Sequence, residues 1–143
     1  MQHLLKSNLF KATIILGIVF SLISCGQTVR FVTSTVVPAA EGKVKIKKDD
    51  NNNYGIEIEI KNLAEPNKLT PARKTYVVWM NDSNNQSKNL GQLTTSSGLF
   101  SSTLKASFKT VSPIKPTRIF ITAEDSGTPV TPGSQVVLNT DSF

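Results

Sequence analysis

The chain of 143 residues holds one Cys, one His and ten carboxylates, a sparse inventory for chemistry. With His3 and Cys25 as its only residues of these types, His-based catalysis or His/Cys zinc binding would need side chains that the sequence barely contains. Two carboxylate pairs remain. Glu57 and Glu59 share one face of a strand at i, i+2, and Glu124 adjoins Asp125. Acid/base work would need a pocket that perturbs one member of a pair; beside Lys43 and Lys45, the first pair reads as a solvated charge row. Ser102 and Lys105 have the spacing of an activated serine and its lysine. In a strand, however, residues three apart point to opposite faces, and no Lys-Thr-Gly partner is present. Two Asp/Asn-rich stretches, Asp49 to Asn53 and Asp82 with Asn84 and Asn85, could offer oxygens to calcium. They lack the Gly and closing Glu of a calcium loop, and such residues also favour turns, so no metal site and no cofactor is expected. Trp79 could stack on a ligand, but its setting in the most apolar segment makes it a core residue between sheets.

These residues must be positioned by a chain that is 38% hydrophobic and 18% charged, rich in Ser, Thr and Asn. That balance favours short strands and polar turns over long helices. A single Cys excludes an internal disulfide, so the domain must be held by packing.

Ahead of Cys25, Lys6 and Lys11 precede Ala12 to Leu22 (ATIILGIVFSL), an uncharged apolar run. It is shorter than the roughly 20 residues that a membrane span needs, and fits the apolar region of a signal peptide. Leu22, Ile23, Ser24 and Cys25 then resemble the lipobox of bacterial lipoproteins. The resemblance implies a diacylglycerol on the Cys25 thiol and cleavage before it, so residues 1–24 form the signal peptide. Cleavage leaves 119 residues with 14 basic and 10 acidic side chains. The basic groups are interspersed with acidic ones, which gives no footprint for nucleic acid; mild attraction to anionic lipid is expected instead. Residues 26–30 (GQTVR) carry no Asp after the Cys, which by resemblance to Gram-negative sorting rules implies an outer-membrane protein facing the periplasm.

Residues 25–37 read as the lipidated Cys and an extended tether, with an edge strand as the alternative because of their β-branched content. From residue 43 the periodicity is two. Val44 and Ile46 alternate with Lys43, Lys45 and Lys47, and beyond the turn Ile56, Ile58 and Ile60 alternate with Glu57, Glu59 and Lys61. This predicts a hairpin with a Lys row facing a Glu row. Further strands are predicted at 74–80, 89–94, 99–108, 117–124 and 135–139, with Pro66, Pro71, Pro113, Pro116, Pro129 and Pro132 confined to loops. The fold expected for residues 38–143 is an all-β, immunoglobulin-like antiparallel sandwich of about seven strands.

Pro71, Lys74, Thr75, Tyr76 and Trp79, then Gly91, then Thr122, Ala123 and Glu124, then Pro129, Pro132, Gly133 and Val136 to Leu138 follow an ordered pattern. In this order they resemble the extracytoplasmic domain of anti-sigma-K factors. The likeness covers about residues 42–140 and implies a sandwich in a periplasmic setting. Two departures stand out: Asp125 to Thr128 replace the family's usual Pro and Gly pair, and a lipoprotein signal replaces the sigma-binding part and membrane helix. Fold and setting transfer; anti-sigma activity does not.

The function expected is therefore that of a non-catalytic, membrane-anchored module that binds a protein or another envelope component. The alternative is a small-ligand or glycan binder. With Trp79 and Val77 inside, Tyr76, Val78 and Met80 would form an outward apolar row, either covered by the tether or available to a partner.

Overall fold

The alternation at residues 43–61 builds the centre of the fold. In a computed structural model that describes residues 26–97 and 104–143, strands β2 (Glu41–Lys48) and β3 (Tyr54–Leu63) pair antiparallel, with Val44 opposite Ile58 and Ile46 opposite Ile56. These apolar residues are buried, while Lys43, Lys45 and Lys47 stand on the other face opposite Glu59, Glu57 and Gly55. The expected charge ladder is present, with Lys43 to Glu59 at 3.0 Å and Lys61 to Glu41 at 3.3 Å. The connecting turn is set by Asp49. Its Oδ1 accepts the backbone N–H groups of Asn51 and Asn53, and Asn52 takes the left-handed conformation (φ 65°) that Asn tolerates.

Strand β1 (Gln27–Arg30) adds to the free side of β2. Strand β7 (Leu104–Ser112) adds to β3, and β6 (Thr94–Ser97) to β7, which completes a five-stranded sheet ordered β1-β2-β3-β7-β6. The second sheet has four strands in the order β5-β4-β8-β9: β4 (Thr75–Asn81), β5 (Ser87–Gln92), β8 (Arg118–Glu124) and β9 (Val136–Asn139). Both sheets are antiparallel throughout, so the described residues form an all-β sandwich of nine strands.

The seven predicted strands all have counterparts; β1 and β6 are additional. Of the predicted strand at 99–108, residues 99–103 lie outside the described residues, and β7 runs four residues further than expected. The larger correction concerns residues 25–37. Beyond β1, Phe31 bridges to Thr140, and the Val32 N–H donates to the Asn139 carbonyl. Ser34 is buried: its hydroxyl donates to the Val137 carbonyl and accepts from the N–H groups of Val36 and Val37. The stretch passes from an edge of one sheet to the edge strand β9 of the other, and Val37 and Ala40 enter the core. It is part of the sandwich. Its β-branched residues find backbone partners on β2 and β9, which solvent-exposed tethering would leave unmade.

The main core lies between the sheets and includes Ile56, Ile58, Ile60 and Leu104, with Phe108 packed against it. From the opposite sheet it receives Tyr76, Val78 and Met80, not Trp79. The register explains this. Tyr76, Val78 and Met80 pair with Ala123, Ile121 and Ile119, whereas Val77 and Trp79 pair with Thr122 and Phe120. Directly paired residues share a face, and on β8 only Ile119, Ile121 and Ala123 make a wholly apolar row. Gly91 on β5, at φ +132°, closes the approach between sheets; a side chain there would meet the Phe108 ring at 3.3 Å.

Candidate functional site

The row Tyr76, Val78 and Met80, expected to face outward and to receive a partner, is 1%, 0% and 1% exposed. This corrects the sequence reading: the three side chains form the inner face of β4 and offer no surface. Tyr76 uses its hydroxyl internally, donating to the Ala64 carbonyl at 2.9 Å, and burial pushes its phenol up to about 12.

Trp79 lies on the outer face of the same sheet and is nevertheless 0% exposed. Its ring stacks against Phe120 with centroids 6.2 Å apart and planes 12° from parallel, and the Arg118 guanidinium sits 5.7 Å from the Phe120 ring centre. The cover over this face is the segment between β8 and β9, residues 125–135, here called the strap. Its anchor points are polar. The Trp79 indole N–H donates to the Thr122 hydroxyl at 2.8 Å, Thr122 donates to Glu124 Oε1, and the same oxygen accepts the Gly133 N–H at 2.7 Å. Gly133 is required by this approach, since a Cβ there would lie 2.8 Å from the carboxylate. Further along, Asn89 on β5 donates to the Pro129 carbonyl. Arg73 closes the base of the strap by contacting both its ends, Asp125 at 2.7 Å and Gln135 at 3.1 Å.

This geometry assigns the carboxylates structural work. Glu124 and Asp125 are not a pair: one holds the strap through Gly133, and the other meets Arg73. Glu57 and Glu59 belong to the charge ladder, and the hydrogen bond from Lys43 holds Glu59 below the usual carboxylate range. The calcium-like stretches are turns of one design. Asp82 repeats the role of Asp49, accepting the N–H groups of Asn84 and Gln86 while Asn85 takes φ 58°. Backbone donation, from Asn53 to Asp49 and from Gln86 to Asp82, lowers both carboxyls. Among the described residues no three His, Cys, Asp or Glu side chains converge, and no helix is long and apolar enough to cross a membrane. Cys25, the expected signal peptide at residues 1–24 and Ser102 lie outside the described residues.

Two surfaces remain for recognition. The strap carries Val130, 91% exposed, between Pro129 and Pro132. Among the described residues the five-stranded sheet carries two shallow clefts of about 610 and 630 Å³, the first at its end between Phe31, Gly42 and Lys61, the second on its outer face over Gly55 between Lys47 and Val111. The strap's Pro and Gly residues were visible in the sequence; the Arg73 staple gave no local signal, because its partners lie 52 and 62 residues away. Comparison with protein-family models, curated proteins and solved structures finds no match to this chain.

Proposed function

We propose that this chain is a lipid-anchored module of the bacterial cell envelope that binds a protein partner through its strap and performs no catalysis. The observation that carries this reading is the strap itself. A loop of eleven residues is held at its base by Arg73, along its length by Asn89 and Glu124, and underneath by the buried Trp79–Phe120 stack, yet its Val130 side chain faces solvent. Such preorganisation lowers the entropy lost on binding and is the usual device for presenting an apolar anchor to a partner.

Anchoring is proposed through Cys25, on the strength of the apolar run and lipobox ahead of it, at the outer membrane facing the periplasm. The resemblance to anti-sigma-K extracytoplasmic domains supports an envelope setting. Several residues that carry it, namely Trp79, Thr122, Glu124 and Gly133, form one hydrogen-bonded chain beneath the strap.

The test is recovery of partners from detergent-solubilised envelope by the wild-type protein and by Val130→Asp. A stoichiometric protein recovered by the former and lost by the latter, with equal thermal midpoints, supports the reading. Recovery of a glycan without protein favours a carbohydrate-binding sandwich instead.

A further inference from the structure

The charge of the domain is unevenly placed. The register puts Arg30, Lys43, Lys45, Lys47, Lys61, Lys105 and Lys109 on the outer face of the five-stranded sheet with only Glu41, Glu57 and Glu59 among them. The other seven cations and seven carboxylates of residues 26–143 cancel. The strands of this face therefore carry the excess of four positive charges, offset only where Asp49 and Asp50 of the β2–β3 turn, with Lys48, line the cleft at its end. The ion pairs seen among the described residues engage Lys43 and Lys61 there, but not Lys45, Lys47, Lys105, Lys109 or Arg30.

The same sheet begins at the lipidation position. Gln27 is already paired with Ile46, and Gly26 runs so close to β2 that a Cβ on it would lie 3.2 Å from the Ile46 carbonyl oxygen. In sequence only Gly26 stands between Cys25 and the first residue of this strand. Without a spacer, an acyl chain at that point draws this sheet to the bilayer. Near the same corner Val111 is 62% exposed across Gly55 from Lys47, an apolar contact among lysines.

We infer that the outer face of the five-stranded sheet lies flat on an anionic lipid surface, so that the strap, on the outer face of the other sheet, points away from the membrane. This rests on the anchored-module reading above and adds the orientation. Cationic side chains at such a surface act additively and within a Debye length, so binding should weaken steeply with salt.

The experiment uses residues 25–143 with Cys25→Ser, which retain every described strand and the whole core, and vesicles of phosphatidylcholine with or without phosphatidylglycerol. Binding is expected to the anionic vesicles and to fall as salt is raised. Lys45→Gln with Lys109→Gln should lower partitioning by on the order of tenfold, whereas Lys68→Gln with Lys74→Gln, an equal change of charge away from this face, should change it by less than about twofold. All four side chains are exposed, so thermal midpoints should not move. Equal loss from both pairs, or no preference for anionic vesicles, overturns the inference. Because the protein used carries no acyl group, that failure is separate from failure of the anchor, which mass spectrometry would reveal as an unmodified Cys25.

Discussion

Two buried aromatic residues on one strand have different duties, and each gives a separate test. Trp79 fills the space under the strap, so Trp79→Ala should cost about 3–5 kcal/mol, the range for removing a large core ring. Trp79→Phe keeps a ring against Phe120 but removes the indole donor to Thr122 and part of the ring volume, so a smaller cost of about 1–3 kcal/mol is expected in urea denaturation. Equal costs for the two would mean that the ring contributes little packing. Tyr76 faces the other way, into the core, and its phenol is pushed up to about 12 by burial. A folded-state value above the unfolded one of 10.0 means that its contribution to stability is complete below pH 10 and is lost as pH rises toward 12. With Tyr54→Phe, Tyr76 is the last tyrosine, and its phenolate absorbance should rise together with unfolding. Ionisation near pH 10 with circular dichroism unchanged would contradict its burial. The inward and outward sides of this strand were open to reading from sequence. Val77 and Trp79 are as apolar as Tyr76, Val78 and Met80, so β4 alone is ambiguous, but its neighbour is not: Arg118, Phe120, Thr122 and Glu124 alternate with Ile119, Ile121 and Ala123. The polar row had to face outward.

Among the elements, the strap is the one whose behaviour separates local from global stability. Arg73 is its staple, and the Asp125 partner is largely exposed, so Arg73→Met should cost no more than about 1 kcal/mol overall. The loss should appear instead in the strap, read through the single Trp: acrylamide should quench Trp79 fluorescence several-fold more readily, with the unfolding midpoint nearly unchanged. Unchanged quenching would show that Asn89 and Glu124 hold the strap without Arg73. What was legible at this scale follows from the reach of each interaction. The β2–β3 hairpin could be read because its alternation, its Asp-led turn and its Lys–Glu pairing are all local. The strap's Pro and Gly residues announced a loop, but its course over Trp79 depends on contacts from distant strands. Strand β6 (Thr94–Ser97) has no apolar alternation at all, and its pairing with β7 supplies the order that its composition lacks.

For the whole molecule, the question is whether residues 26–37 belong to the fold or merely lead to it. As a tether they would be dispensable, and a fragment from Pro38 would be as stable as one from Gly26. The structure joins them to both sheets: β1 pairs along β2, Phe31 bridges to Thr140, and Ser34 exchanges three hydrogen bonds at a buried site beside β9. Removal would expose the β2 edge, uncover core contacts made by Val37 and Phe31, and leave the Val137 carbonyl without its donor. Burial of roughly one and a half apolar side chains, with three hydrogen bonds besides the β1–β2 ladder, corresponds to at least about 4 kcal/mol. That is a large fraction of the 5–15 kcal/mol typical of a domain. The fragment beginning at Pro38 should therefore unfold at much lower urea than the one beginning at Gly26, or fail to fold. Coincident midpoints would restore the tether, and with it a domain free to move relative to any anchor at Cys25. A large difference instead ties the sandwich rigidly to the residue that follows Cys25, and on the anchoring proposed above this rigidity is what would let one lipid fix which sheet faces the membrane and which way the strap points.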